Sequence, residues 1–197
     1  MIVGIPTEIK TGEQRVAMTP ANVQFLTDKG LKVLFQSDSG SAAGYPDAEY
    51  SAAGATLTSD RAEIFARADI ILQVQSFGSN NENSDDDLAR LRRGQLVIGM
   101  MDPLASPSAA QSVADKGTTA IALELVPRIS RAQSMDVLSS MATLAGYKAV
   151  LMGASAAPRI FPLLMTAAGT LQPARVLIMG VGVAGLQACA TAKRLGA

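Results

Sequence analysis

The chain has 197 residues, 48% of them apolar and 17% charged, which fits a globular protein with a filled core and excludes a disordered one. Seventeen basic and seventeen acidic residues cancel, so the net charge points to neither nucleic acid nor an anionic membrane. Histidine is absent and Cys189 is the one cysteine, which excludes a zinc cluster, a serine–histidine triad and an internal disulfide.

In chain order, Ile2 to Ile5 reads as a strand, interrupted too soon by Pro6 and Glu8 to be a signal peptide. Thr19-Pro20 opens a helix that runs to Lys29 and stops at Gly30. Leu31 to Phe35 reads as a strand, Tyr45 to Ala53 as a short helix, Asp60 to Arg67 as another helix and Ile70 to Val74 as a strand. The polar run Gly78 to Asp87, "GSNNENSDDD", reads as a solvated surface loop. Leu88 to Arg92 reads as helix, Leu96 to Met100 as strand, Ser108 to Lys116 as helix and Thr119 to Leu123 as strand. This alternation predicts an α/β fold with a parallel, doubly wound sheet.

A long, mainly helical stretch follows from about Met135 to Met152, then a proline-marked connection, then the apolar run Val176 to Met179, read as a strand. The expected organisation is an N-terminal α/β unit over 1–133, a connecting helical segment over 134–164, and over 165–197 the truncated start of a Rossmann dinucleotide-binding unit. No apolar run reaches the roughly 20 residues of a membrane span. Together with the single cysteine this predicts a soluble cytoplasmic protein. Cys189 itself reads as a small buried hydrophobe rather than a reactive thiol.

Two stretches carry chemistry. The first is G-V-G-V-A-G, residues Gly180, Val181, Gly182, Val183, Ala184 and Gly185, between an apolar run and a helical one. Gly180 allows a tight turn, Gly182 lets the backbone approach a pyrophosphate, and Gly185 lets the helix pack closely; the helix N-terminus then offers free N–H groups to the anion. The context favours nucleotide binding over a plain turn. The acidic residue that should hold the ribose falls about 20 residues past the first glycines, beyond Ala197, so the motif does not decide between NAD and NADP.

The second is Glu124 to Val150, "ELVPRISRAQSMDVLSSMATLAGYKAV". If it is helical from about Ser134, then Asp136, Ser139, Ser140, Thr143 and Tyr147 form one polar stripe, with Gln133 where the helix starts. Two readings stand: a solvent face with Arg128 and Arg131 on a loop, or short polar groups gathered for a ligand or another chain.

Pro6-Thr7-Glu8, Arg15-Val16-Ala17-Met18-Thr19-Pro20, the run Pro127 to Asp136 ("PRISRAQSMD"), Thr166-Ala167-Ala168-Gly169-Thr170 and the Gly180 fingerprint occur in the order seen in the alanine dehydrogenase/nicotinamide nucleotide transhydrogenase superfamily. The chain resembles that superfamily over essentially its whole length. Alanine dehydrogenases hold the substrate carboxylate with an arginine where Arg15 stands and with a lysine after the third strand. They also use a histidine after the next strand. Here those stretches read Leu72-Gln73-Val74-Gln75 and Gly99-Met100-Met101-Asp102-Pro103, with neither the lysine nor the histidine. Arg15 is therefore read as a structural remnant paired with an acid such as Glu8 or Glu13.

The R-A-Q-S-M-D run resembles the NAD(H)-binding component, domain I, of proton-translocating transhydrogenase. That resemblance implies hydride transfer between NAD(H) held here and NADP(H) on a partner component, coupled to proton movement through a membrane component. It implies catalytic roles for Gln133 and Asp136. It also implies cofactor contacts from Arg128, Ile129, Ser130, Gln133, Asp136 and Ser139 together with Gly180, Val181, Gly182, Val183, Ala184 and Gly185, and no metal. A homodimer lying peripheral to the inner membrane through its partner subunits, without inserting into it, is implied as well. In the family the second unit continues past the point where this chain stops, so the chain reads as a fragment or one piece of a split subunit. The alternatives are an alanine dehydrogenase-like oxidoreductase or a non-catalytic docking and dimerisation fragment.

Overall fold

Short apolar runs separated by helices of nine residues or fewer leave each strand no hairpin partner, and in the computed structural model, which describes residues 1–80 and 84–197, they pair in parallel instead. The chain divides into two compact units, Met1–Val126 and Pro127–Ala197.

The first unit contains β1 (Ile2–Ile5), α1 (Pro20–Asp28), β2 (Lys32–Gln36), α2 (Asp47–Ala52), β3 (Thr56–Thr58), α3 (Arg61–Arg67), β4 (Ile70–Gln75), α4 (Asp85–Arg90), β5 (Leu96–Met100), α5 (Pro107–Asp115) and β6 (Thr119–Ala122). The six strands are all parallel, in the order β3-β2-β1-β4-β5-β6. The chain thus reverses its direction of winding at β1, whose Val3 pairs with Val33 on one side and Ile70 on the other. Both sheet faces are covered. Val33 and Phe35 pack with Ile5, Val23 and Tyr50, while Leu34 between them packs with Ile64, Phe65, Ile71 and Val97. This period of two is what a strand imposes on its side chains. Gly4 sits at the centre, where an added Cβ would lie 2.7 Å from the Ala68 and Ile64 side chains, so β1 admits α3 only as glycine.

The expected elements recur within a few residues, and the departures have physical causes. β3 is a three-residue edge strand, Thr-Leu-Thr, too short and too polar to be read as a strand. The run expected as a solvated loop is one only in part. Phe77–Ser79 forms a tight 3-10 turn, residues 81–83 lie outside the described residues, and Asp85, Asp86 and Asp87 form the first turn of α4. Carboxylates suit that position because they face the positive end of the helix dipole.

Asp87 does more than complete the turn, for it is only 2% exposed. Its two oxygens accept from Arg61 Nε at 2.7 Å and a terminal Arg61 nitrogen at 2.5 Å, and Gln73 Nε2 donates to it at 3.1 Å. The other terminal nitrogen of Arg61 donates to the Thr7 carbonyl at 2.6 Å. One guanidinium therefore ties the segment after β1 to α3 and α4.

The second unit contains α6 (Val137–Ala156), the antiparallel hairpin β7 (Leu164–Thr166) and β8 (Gly169–Leu171), and α7 (Val183–Arg194). α6 starts at Val137 rather than near Ser134, because residues Ser130–Met135 are wound into 3-10 turns. At 20 residues, with Lys148 as its single charge, α6 is long and apolar enough by length and composition to cross a membrane, contrary to the expectation that no such run exists. In this unit α6 packs against α7, with Val150, Ala188, Ala192, Phe161 and Ala174 forming a small core.

The strand expected at Val176 to Met179 does not form. The segment has no regular secondary structure and pairs with no neighbour among the described residues, and Leu177 is 87% exposed. Without a ladder an apolar run has no strand to be. Cys189, expected to be buried, is exposed on α7, since the buried face of that helix is formed by Ala188, Thr191 and Ala192.

Removing one partner of a buried ion pair strands the other. Asp87→Ala is expected to cost about 3–5 kcal/mol in urea unfolding. Asp86→Ala, at an exposed pair with Arg90, is expected to cost less than about 1 kcal/mol.

Candidate functional site

The local chemistry of Pro127 to Thr143 begins with a cap. Asp136 precedes α6, and its Oδ1 accepts the backbone N–H of Ser139 at 2.9 Å while its Oδ2 accepts the Ser139 hydroxyl at 2.7 Å. The Ser139 N–H, then its hydroxyl, hold the Asp136 carboxyl below the usual aspartate range, and the Arg128 charge adds to this. Asp136 is thus an ionised cap fixed from both oxygens. The next hydroxyls turn back on their own helix: Ser140 Oγ donates to the Asp136 carbonyl at 3.0 Å and Thr143 Oγ1 to the Ser139 carbonyl at 3.2 Å. The Arg128 guanidinium and the Gln133 amide make no hydrogen bond or ion pair among the described residues.

The glycine turn is built from three different needs. Gly180 has φ +110°, a conformation closed to residues with a Cβ. Gly182 caps α7, and the space in front of it is open: an added Cβ would meet nothing within 4 Å. At Gly185 an added Cβ would fall onto the Gly180 carbonyl oxygen, so the first turn of α7 closes against the turn that leads into it only as glycine.

Arg128, Ser139, Gly180, Gly182, Val183, Ala184 and Gly185 line one cleft of about 360 Å³. An adjoining cleft of about 450 Å³ is lined by Arg128, Gln133, Asp136, Ser139, Ser140, Thr143 and Val183. Nine of the twelve residues expected at the nucleotide site from Arg128 to Gly185 sit on these walls, with Arg128, Ser139 and Val183 shared by the two clefts; Ile129, Ser130 and Val181 are exposed and line neither.

Sequence reasoning did not find Leu138, Ala142 and Met179, which complete the apolar wall. It also missed Gly146. This glycine is buried in the middle of α6, where an added Cβ would collide with the Ala184 carbonyl oxygen, so the helices approach backbone to backbone. A glycine inside an otherwise strong helix was the available signal, since it costs about 1 kcal/mol unless packing requires it.

In the first unit the expected pairing of Arg15 is found. Arg15 Nε and a terminal nitrogen donate to the two oxygens of Glu13 at 2.8 and 2.6 Å, and Gln75 Nε2 reaches the same carboxylate at 3.2 Å. The Arg15 hydrogen bonds, working against partial burial, lower Glu13 to about 2. Glu8 lies nearby on the C-terminal end of β4, accepting from the N–H groups of Val74 at 2.5 Å and Gln75 at 2.9 Å. Burial nevertheless prevails over these hydrogen bonds and raises Glu8 to about 7. An arginine already held bidentately by its own chain is not free for a substrate carboxylate.

The sequence matches two families end to end: Alanine dehydrogenase/PNT, N-terminal domain, over residues 4–145, and Alanine dehydrogenase/PNT, C-terminal domain, over 149–197. It is 46% identical to the first part of the NAD(P) transhydrogenase alpha subunit of Rhodospirillum rubrum, across the whole chain and 51% of that protein. Alanine dehydrogenase of Mycobacterium tuberculosis is 36% identical, again across the whole chain and 52% of that protein. The solved transhydrogenase of Sinorhizobium meliloti superposes with a TM-score of 0.92 at 44% identity, covering all of this chain and 55% of that one. The chain thus spans about half the length of these proteins.

Two measurements test this geometry. Gly146→Ala should lose about 1–3 kcal/mol of stability by overpacking α6 against α7, even though alanine favours helix. Gly153→Ala on the same helix, with open space around it, should gain up to about 1 kcal/mol in the same circular-dichroism melts. For Glu8 the folded pKa lies above the unfolded one, so its stabilisation is complete below pH 4.5 and is lost as pH rises through about 7. The opposite effect of Glu13 lies below pH 4.5, because its folded pKa is depressed to about 2. Glu8→Gln should therefore remove up to about 3 kcal/mol of the fall in unfolding free energy between pH 4.5 and 7, read by urea titrations across that range.

Proposed function

Because the chain belongs to the alanine dehydrogenase/PNT family, we propose that it is the NAD(H)-holding portion of an NAD(P) transhydrogenase. In this reading hydride passes between NAD(H) here and NADP(H) on a partner component, and a membrane component couples the exchange to proton movement. The observation that carries the reading is the convergence of the Arg128–Ser139 segment and the Gly180–Gly185 turn on one cleft.

A nicotinamide supplies the hydride chemistry itself, so what the chain must provide is position and dryness. The open space before Gly182 and the unpaired N–H groups at the start of α7 suit a pyrophosphate. Arg128, which makes no hydrogen bond or ion pair among the described residues, lines the same cleft and suits the nicotinamide and ribose side with Ser139. Asp136 gives both oxygens to Ser139, so its part is to fix the segment between Arg128 and α6. The Gln133 amide, which makes no hydrogen bond among the described residues and lines the adjoining cleft, suits a bridge to the second nicotinamide.

The absence of histidine agrees with this reading, since hydride exchange between two nicotinamides needs no general acid or base at the reacting carbons. The rival, an alanine dehydrogenase-like enzyme, is opposed by the Arg15–Glu13 pair and by glutamine and methionine where the lysine and histidine are expected, at Leu72–Gln75 and Gly99–Pro103. Pyruvate-dependent oxidation of NADH by this chain would reverse that judgement. We place the protein in a homodimer, cytoplasmic and peripheral to the membrane through its partner subunits.

The test is an NADH titration followed by fluorescence, with NADPH as control. Saturable binding of NADH alone, weakened at least about tenfold in Arg128→Ala, is the expected result. No saturation with the folded chain would overturn it. With an NADP(H)-binding component added, Gln133→Asn should slow hydride transfer at least about tenfold and leave the NADH affinity within about twofold.

A further inference from the structure

β1 ends at Ile5, before Pro6, which has no N–H to continue the ladder, while β4 runs on to Gln75. The two strands pair through Val3 with Ile70 and Gly4 with Ile71, so the last residues of β4 have no strand on that side. A bulge follows: from Leu72 to Gln75 β4 advances three residues while β5 advances two, from Ile98 to Met100. In a regular strand successive N–H groups point to opposite neighbours. Here those of Val74 and Gln75 both reach one side chain from the segment after β1. Glu8 Oε1 accepts from Val74 at 2.5 Å and Oε2 from Gln75 at 2.9 Å.

No cation pairs with this carboxylate among the described residues. Arg15, on the loop before α1, gives its guanidinium to both oxygens of Glu13. Arg61, on α3, gives its own to both oxygens of Asp87 on α4. Lys10, on the same segment as Glu8, donates to the Ser79 carbonyl at 2.6 Å. β4 and β5 carry no ionisable residue. Glu8 instead shares a neighbour with a charge of its own sign, because Gln75 also donates through Nε2 to Glu13 at 3.2 Å. Burial and that like charge favour the neutral carboxyl; the Arg61 charge works the other way and is the smallest of these effects.

The segment that Glu8 grips leads directly into a strained turn. Phe77 is buried with φ +28°, rare for a bulky side chain, and at Gly78 an added Cβ would collide with the Met101 carbonyl oxygen. Such a turn persists only while its surroundings hold it. Its holds include the Glu8 clasp, Lys10 on Ser79, and the Ser79 hydroxyl on the Met100 carbonyl at 2.6 Å.

We propose that Glu8 is a proton-operated latch on the end of β4. Ionised, its two oxygens hold both N–H groups. A proton taken from solvent turns one oxygen from acceptor into donor, so one N–H loses its charged partner and the Val74–Ser79 segment loosens. The first unit thereby responds to proton concentration without any nucleotide.

The test is a titration of the full chain from about pH 5 to about pH 9, followed by backbone amide shifts and hydrogen exchange. The Val74, Gln75 and Ser79 amides are expected to move together with one midpoint at about 7. Protection of Val74 and Gln75 should fall at least about tenfold on the acid side of that step. Glu8→Gln should abolish the step and keep these amides in their low-pH state throughout. Glu13→Gln, which removes the neighbouring charge and frees Arg15, should lower the midpoint by at least about one pH unit. A step that persists in Glu8→Gln overturns the proposal, as does a wild-type midpoint below about 5. Unchanged protection of Val74 and Gln75 across the step also overturns it, since the carboxyl would then titrate without moving the strand end. If Glu8→Gln does not fold, the carbon-13 shift of the wild-type Glu8 carboxyl decides. The same midpoint as the amides supports the latch, and a different one sinks it. No readout involves a nucleotide, so failure of the NADH titration leaves this result intact.

Discussion

Much of the second unit depends on one missing side chain. At Gly146 the backbone of α6 meets the Ala184 carbonyl of α7, an approach that any Cβ would prevent. Gly146 shares its helix face with Ala142 and Ser139, four and seven residues before it. Holding α7 against Gly146 therefore sets Ala142 and Ser139 opposite the glycine turn, and with Leu138 they are the α6 side of the cleft. A second closure, at Gly185 against the Gly180 carbonyl, fixes the direction in which α7 leaves that turn. The small core of Val150, Phe161, Ala174, Ala188 and Ala192 holds the arrangement further along both helices.

How far the sequence could be read follows from what kind of force makes each feature. Strands β1, β2, β4 and β5 are short apolar runs between helices, and burial in the middle of the sheet leaves that mark in the residues themselves. β3 leaves no such mark, because an edge strand of three residues with two threonines is held by its neighbour and not by burial. The aspartates before Leu88 misled for a related reason. Their charge signals solvent, but Arg61 lies 26 residues away in sequence, and only the fold makes it Asp87's partner. In the site, spacing disclosed the glycine turn and the polar segment, whereas Leu138, Ala142 and Met179 are ordinary apolar residues until two helices cross.

The electrostatics of the first unit follow from a local choice. Arg15 and Glu13 are two residues apart, so their pairing needs little of the fold and is already complete within one loop. Gln75 adds its amide to the same carboxylate from the end of β4. Glu8, lacking an ion pair of this kind, is left to the opposing pulls of burial and two backbone N–H groups. Glu8 and Glu13 thus lie near the C-terminal end of β4 in opposite protonation regimes, set by burial and by partners rather than by their chemistry.

The exposure of Cys189 gives this chain an unusual practical property. It is the only thiol in a sequence without histidine, and it stands seven residues, or two helical turns, after the glycine that caps α7. A maleimide dye would attach at that one position, roughly 10 Å along the helix from the turn. A fluorescent reporter could therefore watch the environment of α7 without any substitution in the protein.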